Sequence, residues 1–493
     1  MPIRNGRTIT IGGPHADAVE LPGKRWETGA CFANPDGTRT YTVFGSPIHY
    51  HDGAVWQEID NRWQAGVAPW NYEMTACQYQ AFALSRFDAG RILRLEKSGH
   101  YVTYQPMALN WTNDLDQIQQ IAMPANVQAV ATNGGLDSLC PNGRLDWAAA
   151  YGAGLDFTYT PSTHFLKKEL TVDTLARLGT PAAYIIAGGN PVLALSFIFA
   201  TDLDLWIDGA KWDKKSQKSS VNNIEFRDAA GVVHWWWRTP TATDSADGPA
   251  EPIRGSIQVK KQGASLYVSV LVPYAWLAAA VYPVRVDPTS YYGATTDGQI
   301  RGQNSTYATC RDTSTDLDVS GISFYLGQRW STFYQIWRSY IEIDTSGIAD
   351  TDTVTQANLY LTVSSNYMTY AFTRRVHKYD WESPIAAGNR ETNYDGALAS
   401  TYDADWPGES PSIPTASSNL DTTWIKKLAG EKTRYTLLSS KDVSSTAPTG
   451  REFFIIHSQE ATTEAYRPYL AVTVAAAGGV PKQANHYARM RRS

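Results

Sequence analysis

A chain of 493 residues exceeds what one hydrophobic core usually serves, so two or three domains are expected, each large enough to fold without staples. With 43 Lys and Arg against 48 Asp and Glu, the formal net charge of −5 excludes a general attraction to nucleic acid or anionic membrane. Aromatic residues make up 12% of the chain and charged residues only 18%, a balance that suits half-buried strands and sugar-facing surfaces better than solvated helices.

In chain order, the opening MPIRNGRTITIGG lacks the run of roughly 7–15 apolar residues that marks a secretory signal, and the expectation is a chain that does not use that route. Residues 41–60, YTVFGSPIHYHDGAVWQEID, hold two strand-like runs around Asp52-Gly53, a dipeptide that closes tight hairpins. DLDQIQQIAM (114–123) is a short helical candidate. AAYIIAGGNPVLALSFIFA (182–200) is the most apolar stretch, and Gly188, Gly189, Asn190 and Pro191 break it into two buried strands rather than a membrane span.

IEFRDAAGVVHWWWR (224–238) predicts a second hairpin, with Gly231 at the turn and Val233, Trp235 and Trp237 alternating against His234, Trp236 and Arg238. Residues 267–272 form an apolar strand, Pro273 interrupts it, and YPVRVDPT ends at Pro288, where a domain closes. Beyond it, RSYIEIDTSGI, TQANLYLTV, REFFIIHS and RPYLAVTV are four short strands. Leu359, Leu361 and Val363 share one face of the second, and Leu470, Val472 and Val474 one face of the last. This spacing predicts an antiparallel sandwich or jelly roll. TTWIKKLAG (422–430) is a further helical candidate, capped by Asp421. The four cysteines, Cys31, Cys77, Cys140 and Cys310, lie far apart, and free buried thiols are expected.

The stretch RSYIEIDTSGIADTDTVTQANLYL together with the terminal RPYLAVTV resembles a DNRLRE-type module, a β jelly roll of bacterial cell-surface and extracellular proteins, over roughly residues 291–475. NNIEFRDAAGVVHWWWRTPTATDSADG, the pair Trp276-Leu277 and YPVRVDPT resemble the β-rich segment that precedes such modules, and Rhs-type repeats, in secreted bacterial proteins. The resemblance implies a structural or carbohydrate-associated module without shared catalytic residues. An outward-facing module type lacking an export signal points to a bacteriophage virion protein, assembled in the cytoplasm and released by lysis.

For site chemistry, Trp235, Trp236 and Trp237 are candidate glycan contacts, because an indole stacks on the apolar face of a sugar ring. Packing between sheets is the favoured reading for all three, and since consecutive strand residues point to opposite sides at least one of them is core. Trp381, Trp406 and Trp424 are second candidates, placed near loop ends. Asp312, Asp316 and Asp318 could supply oxygens to a structural Ca²⁺, although acidic loop residues are commonly just solvated. His49 and His51, two apart on a strand, form half a metal site at most, and Asp202, Asp204 and Asp208 are weaker still. No G-x-S-x-G turn is present, so no catalytic residue is assigned and no cofactor is expected beyond that Ca²⁺. The terminal AAAGGVPKQANHYARMRRS carries Lys482, Arg489, Arg491 and Arg492 and reads as a flexible basic tail for docking on a virion.

The reading is therefore all-β, with antiparallel β-sandwich or jelly-roll domains in tandem and few short helices. Residues 1–150 form an N-terminal β-rich region, 151–289 a second sandwich, 291–475 the DNRLRE-like jelly roll and 476–493 the tail. The expected function is a non-enzymatic virion appendage, fibre or decoration protein that is homo-oligomeric, partners with other virion proteins and contacts host-surface polysaccharide, without nucleic-acid binding or membrane insertion. The alternatives are a bacterial cell-surface or secreted carbohydrate-binding protein and a polysaccharide depolymerase.

Overall fold

Strand accounts for about 49% and helix for about 10% of the computed structural model, so the chain is all-β with short helices only. The structure describes residues 2–4, 7–9, 11–135, 140–246, 253–287, 290–291, 297–319, 323–461 and 463–475. The basic tail with Lys482, Arg489, Arg491 and Arg492 lies outside the described residues. Among these residues, no helix is long and apolar enough to cross a membrane.

The described residues fall into two compact units. One comprises the described residues up to Gln57 with those from Asp297 to Ala475, the other those from Glu58 to Gly135 with those from Cys140 to Tyr291. Against the expected boundaries at 150 and 290, the first 57 residues therefore belong with the C-terminal region. Strand pairing is the reason: Arg39–Phe44 runs antiparallel to Tyr469–Ala475 over six residue pairs, from Tyr469 opposite Phe44 to Val474 opposite Arg39. Arg39 Nη2 and Tyr41 Oη then donate to the two oxygens of Asp352, at 2.6 and 2.9 Å, at the head of the neighbouring strand Thr353–Asn366.

In this first unit, period-2 alternation builds a sandwich. Leu359, Leu361, Val363, Leu470, Val472 and Val474 all point inward, as the sequence predicts. They meet Ile341, Ile343, Leu437, Phe454 and Ile456 from Tyr334–Ile343, Thr433–Ser439 and Arg451–His457. Each such buried side chain contributes roughly 1.5–3 kcal/mol of transfer free energy. Thr353–Asn366 serves two partners in succession, and its register shifts between Val363 and Ser365. Up to Tyr360 it pairs with Tyr469–Ala475, and from Val363 onward, on both sides of the shift, with Arg451–His457.

The outer face of Tyr334–Ile343 is covered by helices, and there a buried arginine holds them. Arg338 is fully buried and donates from Nε and Nη2 to the two oxygens of Asp442, at 2.8 and 3.1 Å. Its remaining donors reach the Tyr394 carbonyl at 2.7 Å and the Arg311 carbonyl at 3.0 Å, while its guanidinium lies 3.8 Å from the Tyr394 ring centroid. One side chain thereby joins its strand to the helices Tyr307–Asp312, Arg390–Ala399 and Ser440–Val443.

The second unit is built on two further sheets. In one, His100–Thr112, Val192–Thr201 and Ser265–Pro273 are central; in the other, Leu155–Pro161 and Phe165–Val172 lead through Ser290–Tyr291 to the hairpin of Val233–Trp237 with Ile224–Arg227. Side chains interdigitate between them: Trp237 Nε1 donates to Tyr104 Oη at 2.6 Å, and Phe157 lies 5.9 Å from Phe197.

Both expected hairpins form, with Gly53 at φ 100° and Gly231 at φ 86°, a region that glycine enters without steric cost. Three local expectations are corrected. Residues 114–123 are not helical: Asn113 Oδ1 accepts from the amides of Leu115 and Gln117, each at 3.1 Å, Asp116 takes φ 56°, and Ile118–Ala122 returns along His100–Thr112. Ala183–Ala187 is a helical turn and not a strand, since only Ile185 of it is buried. Asp421 does cap, accepting from Thr423 N at 2.9 Å, but only a single 3-10 turn follows, Thr422–Trp424, because the Lys426 amide turns away to Thr433 Oγ1.

Breaking the buried pair leaves an uncompensated charge, whereas removing both partners does not. Asp442→Ala is expected to destabilise the full-length protein by about 3–5 kcal/mol. In urea unfolding followed by tryptophan fluorescence, the Arg338→Met, Asp442→Leu double variant recovers most of that loss.

Candidate functional site

The tryptophans expected to meet glycans are mostly packed inside. Trp235 (0% exposed), Trp237 (3%), Trp381 (1%) and Trp406 (1%) present no free face to a sugar. Trp381 lies edge-on to Tyr340 at 5.7 Å, and Trp406 Nε1 donates to the Thr415 carbonyl at 2.9 Å. These four are core residues: Trp235 and Trp237 pack between sheets, and Trp381 and Trp406, expected near loop ends, are likewise closed to a contact role. Trp236 and Trp424 keep partial exposure. Trp424 packs against the first unit's core, with its Nε1 on the Arg434 carbonyl and Lys426 Nζ 4.7 Å from its ring centroid.

Trp236 stands in a cross-strand row that the sequence did not single out. In register it lies opposite Glu225, which lies opposite Trp206, so two half-exposed indoles flank one carboxylate on a single sheet face. Arg227 stacks on Trp206 at 4.4 Å and bonds Glu225 from Nε at 2.7 Å. Trp206 is thus capped by a guanidinium, and Trp236 is the more open of the two.

The acidic candidates separate. Asp312 ends the helix Tyr307–Asp312, whereas Asp316 and Asp318 lie on a short strand, with Asp316 3.3 Å from Arg301 Nη2. Among the described residues these three do not converge as a cation-binding group. Asp204 pairs with Lys211 at 2.6 Å, and Asp208 accepts from Ser220 Oγ and Asn222 Nδ2, both at 2.8 Å. His51 is exposed and His49 buried, and the two play separate parts.

His49 belongs to a buried ionic cluster in the first unit. Its Nε2 is 2.5 Å from Arg4 Nη2 and 3.6 Å from Glu20 Oε1, while Arg4 Nε and Arg25 Nε lie 2.9 and 2.8 Å from the Glu20 carboxylate. Burial pushes the Glu20 carboxyl up, but hydrogen bonds from His49 and Arg25 and the charges of Arg4 and Arg25 outweigh it and hold it down at about 2. Burial likewise lowers the pKa of His49.

Two concavities are described in the second unit. The groove lined by Asn110, Thr112, Asp116, Gln258, Lys260 and Tyr267 has a volume of about 230 Å³, and Asp116 is the one carboxylate on its wall. A void of about 20 Å³ beside Tyr104, Lys168 and Trp237 has room for about one water. Lys168 is buried there, 4.4 Å from the Tyr104 ring centroid, and burial pushes its pKa down to about 7.

One titratable cluster escaped the sequence reading. His100, Asp228 and His234 of the second unit place a ligand atom each within 4.8 Å of one another. Asp228 and His234 flank the Gly231 turn, a juxtaposition readable from the hairpin; the arrival of His100 required the tertiary fold. No protein-family model and no curated protein matches this chain.

Because Glu20 is ionised at about pH 2 in the fold and near 4.5 when unfolded, its contribution is fully present above pH 4.5 and lost as pH falls through 2. Glu20→Gln is expected to cost about 3 kcal/mol at pH 7. Denaturant melts at a series of pH values should show the variant losing less stability than the wild type between pH 4.5 and 2.

Proposed function

We propose that this chain is a non-enzymatic structural component of a bacteriophage virion, a head or tail appendage, fibre or decoration-type protein. The observation that carries the reading is the burial of Arg338. The arginine that leads RSYIEIDTSGI, the stretch most like a DNRLRE-type module, is closed off from solvent and fastens three helices to its sheet. A side chain used this way suits a rigid display body. The same holds for the four buried tryptophans, whose aromatic surface goes into packing.

On this reading the protein is homo-oligomeric, its partners are other virion proteins, and weak surface contacts gain strength from being repeated on one particle. Contact with host-surface glycan narrows to Trp236 and Trp424. Trp236 is the better placed of these, beside Glu225 on an open sheet face.

The test is the composition of particles. Virions purified on a density gradient from lysed host cells should carry this chain at a fixed ratio to the major capsid protein, as read by quantitative mass spectrometry; its absence from them overturns the proposal. For the glycan part, Trp236→Ala is expected to weaken binding to host-surface polysaccharide about 3–10-fold, the scale of one aromatic stacking contact. Shortening of that polysaccharide on incubation would identify the depolymerase alternative instead.

A further inference from the structure

We propose that His100, Asp228 and His234 bind one divalent transition-metal ion of the zinc type, with Asp202 orienting His100, and that the ion clamps the two sheets of the second unit together. His100 opens the strand His100–Thr112 of one sheet, and His234 sits in Val233–Trp237 of the other. Their rings are 4.3 Å apart between centroids and inclined at 53°.

The backbone puts His234 there by a specific device. Trp235 pairs with Phe226 and Val233 with Arg227, which leaves His234 as the extra residue of a β-bulge. Simple alternation would turn His234 and Trp235 to opposite faces, yet both are buried. A bulge re-aims one side chain out of the alternating pattern, at a cost in ladder hydrogen bonds.

The carboxylates are prepared in different ways. Asp202 accepts the Tyr101 amide at 2.9 Å on Oδ1, and its Oδ2 is 2.7 Å from His100 Nδ1. With the Nδ1 proton held by that carboxylate, His100 Nε2 carries the lone pair, the arrangement in which an outer carboxylate fixes the tautomer of a metal-binding imidazole. Asp228 Oδ1 accepts the amides of Ala230 and Val232, both at 2.9 Å, so Oδ2 is turned to His234 Nε2 at 3.0 Å. These bonds fix the carboxylate so that one oxygen is held by the turn and the other faces the histidines.

Two imidazoles and one carboxylate make an N₂O donor set that suits zinc and its neighbours and leaves a fourth position for water. Metal–ligand bonds of about 2.0–2.2 Å require the three donor atoms to close to roughly 3.3 Å from one another, which small side-chain rotations accomplish. Side-chain exposures of 27% for His100 and 11% for His234 give the ion a path from solvent.

The full-length protein, stripped with a chelator and desalted, is titrated with Co²⁺ by visible spectroscopy and with Zn²⁺ by calorimetry. Expected are one ion per chain, four-coordinate cobalt bands, and a higher melting temperature in zinc. His100→Ala and His234→Ala should each weaken binding by roughly 100-fold or more, and Asp202→Asn by about 10–100-fold. The proposal is overturned if folded wild type takes up neither ion, or if uptake is unchanged in the His100→Ala, His234→Ala double variant. A pH-dependent melt that zinc does not shift would also sink it, identifying a proton-sharing histidine pair.

Discussion

The first unit depends on a single constraint: a guanidinium removed from water must find a partner for each of its three nitrogens. Arg338 does so through Asp442 and two main-chain carbonyls, and those partners lie on three different helices. Since a buried ion pair gains little net free energy over a well-packed apolar pair, its effect is better described as specificity. The strand can lie in this register, with these helices on its outer face, or leave a charge stranded. Burial alone would push the Arg338 pKa down, yet the Asp442 carboxylate and its hydrogen bonds raise it above the usual range, so the arginine's charge is permanent.

Much of this architecture was legible in the sequence, because the inner face of a strand is announced by its period. The alternation in TQANLYLTV and RPYLAVTV located the core of the first sandwich, and Asp52-Gly53 and Gly231 located two reversals. What could not be read was pairing between distant segments. Nothing in RTYTVF states that it lies beside YLAVTV, and so the grouping of the first 57 residues with the C-terminal region stayed hidden. The two lost helices share a cause: polar side chains of Asn113 and Asp421 bond nearby amides, a signal common to helix starts and tight turns.

Legibility of sites was poorer for a related reason. The tryptophans of HWWW are the most visible residues of the sequence, and the structure uses Trp235 and Trp237 as packing. The histidine beside them drew no notice, since alternation places it on a solvent face; only the bulge, an irregularity of pairing with no compositional signature, turns it inward toward His100. Residue type proposes chemistry, but backbone irregularity decided which side chains meet.

The pairing of Arg39–Phe44 with Tyr469–Ala475 has a consequence for biosynthesis. A ribosome delivers both faces of the middle unit before it delivers the partner of that early strand, so the middle unit is complete and foldable while the early strand still waits with an open edge. Its residues Thr40 and Thr42, and the Lys24, Arg25 and Arg39 that surround it, break up what would otherwise be an uninterrupted apolar ribbon during that interval. Synthesis of the roughly four hundred residues between the two strands then sets how long the early edge waits for its partner.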